Sequence, residues 1–95
     1  MKIYIAGKIT GQPNYMELFQ AKQTELEAQG HTVINPAKLY GILGEGFNHA
    51  EYMHICYSLI DLCDEVYLLS NWADSKGACM ELDYAIETRK TVVTE

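Results

Sequence analysis

Four short runs rich in β-branched and aromatic residues, KIYIA (2–6), HTVIN (31–35), EVYLL (65–69) and KTVVT (90–94), alternate with three segments of helical period. In the first helical segment Tyr15, Leu18, Phe19, Lys22 and Leu26 recur on one face, with Asn14 as a candidate cap and Gly30 as the stop. In the second, from about His49, the recurring set is Tyr52, Ile55, Cys56, Leu59 and Cys63, after which Asp64 introduces the most hydrophobic strand. The third runs from Ser75 to about Arg89. Residues 37–48 carry Gly41, Gly44 and Gly46 with no clear period and read as a loop.

An alternating β-α-β-α-β-α-β order with right-handed crossovers leaves few topologies. It predicts an α/β fold: a small three-layer α/β/α sandwich, flavodoxin-like or Rossmann-like, with a parallel sheet in the order 2-1-3-4. At 95 residues the chain suffices for one domain, residues 1–95, and is too short for two. Open sheets of this kind bind ligands beyond the carboxyl ends of their strands, where the strand order reverses. Here that point lies between the first and third strands, so GKITG (7–11) and SNWADSKG (70–77) should line one crevice.

Charge narrows the ligand. The net charge of -6 comes from the second half, since residues 1–48 hold four acids and four bases whereas residues 49–95 hold nine acids and three bases. Arg89 is the sole arginine and there is no basic run, which argues against a nucleic-acid polymer but leaves room for a small anion held by backbone N–H groups. No apolar run approaches the ~20 residues that span a bilayer, so no membrane partner is expected. MKIYIAG is too short for an export signal, which places the protein in the cytoplasm. Cys56, Cys63 and Cys79 lack CxxC spacing and form no ligand pattern with His31, His49 and His54, so they read as reduced structural thiols and no metal is expected.

Glu81 is the sharpest single residue. If Ser75 caps the third helix, Ala78, Leu82, Ala85 and Ile86 form its buried stripe and Glu81 stands at the edge, whereas Asp83 and Glu87 point to solvent. Burial raises the pKa of such a carboxylate and the helix N-terminus lowers it. It then either serves as an ionised, poorly hydrated nucleophile toward a sugar carbon or snorkels to water. Removing a poorly hydrated charge, as in Glu81→Ala, should leave stability unchanged or higher. Gly7 and Gly11 either make a tight connection or bring backbone N–H groups to a ligand; Ser75, with Gly77 beside it, is an N-cap, an anion site or both. Lys8 reads as a phosphate ligand or a solvated cation, and Trp72 as a base-stacking ring or a cover for the sheet edge or a second subunit. Met80 and Tyr84 lie on a helix face that should be wet, an apolar patch that points to a homodimer or higher homo-oligomer.

The segments KIYIAGKITG, AQGHTVINPA and LCDEVYLLSNWADSKGACMELDYA resemble a family of short phage and bacterial proteins of unknown function related to nucleoside 2-deoxyribosyltransferases. The likeness covers nearly the whole chain and is weakest over residues 38–50. It implies that Glu81 is a nucleophile attacking C1′ of a 2′-deoxyribosyl group and displacing the base. The sugar then passes to another base, or to water as in deoxynucleoside 5′-monophosphate N-hydrolases. It further implies that Gly7 to Gly11 and Ser75 line the nucleoside or phosphate site, that Tyr4 faces the sugar, that no cofactor is needed, and that a partner subunit completes each site. Two positions depart from the pattern. Where the resemblance implies a helper aspartate, eight residues before Asp64, this chain has Cys56; Asp61 lies on another helix face and Asp74 is the reserve acid. Lys8 replaces a proline. The alternatives are a nucleotide-binding sensor without turnover, which Cys56 favours, and a phage structural or interaction protein.

Overall fold

The computed structural model describes residues 1–95 and shows a four-stranded, all-parallel sheet in the order β2-β1-β3-β4. Its strands are β1 (Lys2–Ala6), β2 (Thr32–Ile34), β3 (Glu65–Leu68) and β4 (Thr91–Thr94), and its helices are α1 (Tyr15–Ala28), α2 (His49–Asp61) and α3 (Lys76–Glu87). Tyr4, at the middle of the sheet, is in register with Ile34 on one side and Val66 on the other.

Both faces of β1 are covered, so its residues alternate between two cores. Ile3 and Ile5 pack with Phe19 and Leu26 of α1, while Tyr4 and Ala6 pack with Tyr52, Met53, Cys56 and Ile60 of α2 and with Ala78 and Ala85 of α3. A strand buried on both faces reads as a continuous apolar run, which is how KIYIA looks. The sequence reading of α1 needs two corrections. Leu18 is 37% exposed, and Asn14 does not cap the helix, because its Oδ1 accepts from Gln12 Nε2 at 2.6 Å. Lys22 does lie in the buried stripe; its ammonium reaches Glu25 at 2.7 Å and Glu95 at 3.2 Å and sits 5.0 Å from the Tyr67 ring centre.

The segment after β2 is not wholly a loop. Pro36–Gly41 form a short 3₁₀ helix whose cap, Asn35, accepts from the Ala37 N–H at 3.1 Å, and Pro36 stands at the first turn, where its missing N–H costs nothing. A second 3₁₀ turn, Trp72–Asp74, precedes α3. The α2 helix begins with a capping box, Asn48 Oδ1 accepting from Glu51 N at 2.9 Å and Glu51 Oε1 from Asn48 N at 3.0 Å. The Met80 and Tyr84 side chains are partly covered within the chain itself: Met80 packs against the core, and Tyr84 stacks on Tyr57 with ring centres 4.5 Å apart while donating to Asp61 at 2.5 Å. No helix is long and apolar enough to cross a membrane.

α1 and α3 end in the same way with different residues. After α1, Gly30 has φ +93°, Gly30 N donates to Glu27 O at 3.0 Å and His31 N to Leu26 O at 3.2 Å. After α3, Arg89 takes that left-handed place at φ 60°, with Arg89 N to Ile86 O at 3.1 Å and Lys90 N to Ala85 O at 2.9 Å. This paired bonding closes a helix through a left-handed residue, and α3 therefore stops at Glu87 rather than Arg89. A side chain in this conformation costs about 1–2 kcal/mol, of which glycine returns part through its freer unfolded state. Arg89→Gly should raise stability by a net ~0.5–1 kcal/mol and Gly30→Ala should lower it by about 1 kcal/mol. Thermal melting checks both, and a lowered melting temperature for Arg89→Gly would refute this account of the helix end.

Candidate functional site

A shallow cleft, open to solvent, lies beyond the carboxyl ends of β1 and β3. Gly7 and Thr10 after β1 form one wall and Ser75, Gly77, Ala78 and Glu81 of the α3 start another; Tyr52 and His49 of α2 and Tyr40 of the 3₁₀ helix close it. The two strand-end loops are tied to each other. Leu69 N donates to Ala6 O at 2.8 Å and Lys8 N to Asn71 Oδ1 at 2.9 Å. Gly7 is buried so closely that a Cβ there would stand 2.8 Å from Leu69 Cδ1, so only glycine permits this approach.

Glu81 is not at the edge of the buried stripe of α3 but in its middle. The buried residues are Ala78, Glu81 and Ala85, whereas Ile86, expected inside, is 61% exposed and Leu82 is half-buried. Glu81 is 6% exposed, and its carboxylate accepts a hydrogen bond from the Tyr4 hydroxyl, itself fully buried on β1. Burial, partly offset by hydrogen bonds from Tyr4 and Cys56, raises the Glu81 pKa from 4.5 to about 7. The same setting raises Tyr4 well above an ordinary phenol, through burial and the neighbouring Glu81 charge, and pushes the Cys56 thiol up to about 12 by burial and then Glu81. A carboxylate poised near neutrality at the floor of a cleft is suited to nucleophilic or proton-transfer chemistry.

The structure brings Gly7, Ser75, Gly77 and Glu81 together on the cleft wall. Ser75 Oγ caps α3, accepting from Ala78 N at 3.1 Å, and still faces the cleft. Tyr4 lies behind the carboxylate rather than on the open surface. Asp74 is exposed and lines only an outer polar rim with Thr10, His49 and Lys76. Lys8 and Gly11 stand outside the cleft lining: Gly11 has φ +79°, as its tight turn requires, with Lys8 Cε 3.8 Å from where its Cβ would be. Trp72 packs against the core, and its carbonyl faces the Cys79 thiol at 3.8 Å.

Three lining aromatics and imidazoles escape a reading of the sequence. Tyr52 looks like one more apolar residue of the α2 stripe, but its hydroxyl donates to Pro36 O at 3.0 Å and its ring lies 4.8 Å from that of Tyr40. Tyr40 and His49 fall in or beside the segment without period. Asn35-Pro36, a cap followed by a first-turn proline, was the available signal for Tyr40; His49 had none. No group of three or more His, Cys, Asp and Glu side chains is arranged to hold a metal ion.

The Tyr4 hydrogen bond also changes what a Glu81 variant does. Glu81→Ala would strand a buried hydroxyl at a cost of about 1–3 kcal/mol, which offsets the gain from removing a desolvated charge. Glu81→Gln keeps an acceptor for Tyr4 without the charge. Because the folded pKa lies above 4.5, the native state binds the extra proton between pH 4.5 and about 7, so native stability falls as pH rises through that window and is level above it. The melting temperature of Glu81→Gln relative to the parent should rise across this window, equivalent to at most about 3 kcal/mol. A difference independent of pH would show that Glu81 titrates normally.

No curated protein matches the chain. A family model does match it, over residues 1–94, nearly the whole of the sheet, its helices and the cleft just described, and the chain belongs to that family, a domain of unknown function (DUF4406).

Proposed function

We propose that this protein binds a 2′-deoxynucleoside or its 5′-monophosphate and cleaves or transfers across the N-glycosidic bond, with Glu81 as the nucleophile. The observation that carries this reading is the buried Glu81 carboxylate, fixed by Tyr4 at the floor of the strand-end cleft. The resemblance of residues 62–85 to nucleoside 2-deoxyribosyltransferases supports it by implying the same glutamate. The ionised carboxylate attacks C1′, the C1′–N bond breaks as its electron pair leaves with the base, and a glycosyl ester forms on Glu81. Water or a second base then attacks C1′ and frees the carboxylate. The N–H groups at the α3 start and the Ser75 hydroxyl bind sugar or phosphate oxygens. A second subunit, a homodimer or larger assembly in solution, belongs to the same proposal.

Cys56 favours a second reading, a nucleotide-binding module without turnover, because a thiol held near 12 stands where the resemblance implies a carboxylate. Incubation with each 2′-deoxynucleoside and 5′-monophosphate separates the two, base release being followed by chromatography and binding by the melting temperature. Base release should be present and should fall at least ~10³-fold in Glu81→Gln. The parent's kcat/KM should rise as the pH rises toward about 7 and the Glu81 carboxylate ionises. A melting shift without base release establishes the binding module instead, and neither signal defeats both readings.

Gly77 gives an independent test of the cleft. A Cβ on Gly77 would meet His49 Nε2 at 3.6 Å, Met53 Sδ at 3.7 Å and Ser75 Oγ at 3.9 Å, ordinary contacts that the fold accommodates while the cleft narrows. Gly77→Ala should keep or raise the melting temperature, since alanine favours the helix, yet weaken nucleoside binding about tenfold or more. Unchanged binding would move the ligand elsewhere.

A further inference from the structure

We propose that His49 is the general acid of the glycosidic reaction, protonating the departing base from the mouth of the cleft, one turn of α3 from Glu81. This rests on the function proposed above, since without a leaving base there is nothing for the imidazole to protonate.

Among the side chains lining the Glu81 cleft, the ionisable ones besides Glu81 are Tyr40, Tyr52 and His49. Burial raises both phenols, and Tyr52 already spends its proton on Pro36 O at 3.0 Å. Cys56 sits behind the carboxylate in the core, and Asp74 is confined to the outer rim. Imidazole is the side-chain type that exchanges protons near neutral pH, and His49 is exposed enough to recover one from solvent between turnovers.

Geometry supplies the second leg. His49 Nε2 lies 3.6 Å from the position a Cβ would take on Gly77. Gly77 and Glu81 are four residues apart on α3, one turn along the same helix face, roughly 5–6 Å. The imidazole therefore stands over the mouth of the cleft one turn from the nucleophile. A spacing of this order is the one that an acid and a nucleophile flanking a glycosidic bond require. His49 and Thr10 are the two residues shared by this cleft, the apolar recess under Phe47 and the polar rim beside Lys76, and of the two only His49 is ionisable. The missing Cβ of Gly77 is what leaves space in front of the imidazole.

The proton accounting is closed. His49 enters as the imidazolium. Glu81 forms its bond to C1′, the C1′–N electron pair goes to the base, and the Nε2 proton goes to the base nitrogen, leaving neutral imidazole and the glycosyl ester. The neutral imidazole then takes the proton of the attacking water as its oxygen bonds C1′, restoring imidazolium and a free Glu81 carboxylate.

The test compares two substrates that differ in their need for a proton. The base of 2′-deoxyadenosine leaves poorly unless protonated, whereas that of 7-methyl-2′-deoxyguanosine carries a positive charge and leaves as a neutral molecule. His49→Ala should lower base release from 2′-deoxyadenosine 10²- to 10⁴-fold and from 7-methyl-2′-deoxyguanosine less than tenfold, with His49→Gln behaving the same way and both variants melting near the parent. Equal losses on the two substrates, no loss on either, or a loss confined to 5′-monophosphates would each overturn the assignment, the last by making His49 a phosphate ligand. Base release by the parent that Glu81→Gln abolishes and His49→Ala does not would sink the role of His49 alone. Release from neither substrate by the parent would sink the nucleophile and its acid together.

Discussion

The hydrogen bond from Tyr4 to Glu81 joins the two elements on which everything else is arranged. Tyr4 sits in the strand at the centre of the sheet, paired on both sides, and Glu81 sits in the middle of the buried stripe of α3. A buried carboxylate without a partner would cost several kcal/mol, and a buried hydroxyl without one about 1–3 kcal/mol. Each answers the other. Because Tyr4 is held by the sheet and not by a loop, the carboxylate it holds is positioned by the paired strand at the centre of the molecule.

The cleft above that pair depends on close backbone approach. Gly7 lets the end of β1 lie against Leu69, and the Lys8 N–H to Asn71 contact carries the tie one residue further, so the loops after β1 and β3 are held against each other. On the other side of the sheet Glu95 does similar work at the end of β4: it accepts from Ser70 N at 3.0 Å and from the Lys22 ammonium, binding α1 to the segment that leads into Asn71. Lys22 is thus in the apolar stripe for a reason that its charge conceals. Its stem packs in the core while its ammonium closes an ion network.

The alternation of short β-branched runs with helical segments was enough to read the sheet order, because right-handed crossovers leave no other simple winding. Glu81 was legible as an anomaly for a similar reason: a carboxylate next to Ala78 and Ala85 breaks a 3.6-residue pattern. Its partner was not. In a strand buried on both faces, nothing in the alternation says that Tyr4 rather than Ile3 or Ile5 looks toward α3. The 3₁₀ helix at Pro36–Gly41 was invisible to helical periodicity because six residues at three per turn leave no 3.6-residue trace, and Tyr40 went with it. Arg89 was hidden by propensity itself, since arginine is an ordinary helix former and only the bonding of Lys90 back to Ala85 places it in the left-handed conformation.

Cys56 bears directly on how Glu81 behaves. A second carboxylate at that position, against Glu81 and Tyr4, would repel the first and drive one of the two to hold its proton across the neutral range. The thiol, itself raised to about 12, carries no charge there and donates weakly to Glu81. The Glu81 pKa near 7 is consequently set by burial against two neutral hydrogen bonds, not by a competing anion, and a substantial fraction of the carboxylate is ionised at neutral pH. If Glu81 is the nucleophile proposed above, it has no second carboxylate beside it to share its protons. In the reaction proposed above, the proton for the leaving group comes from the start of α2, where His49 Nε2 lies 3.6 Å from the Cβ position of Gly77, one turn of α3 before Glu81.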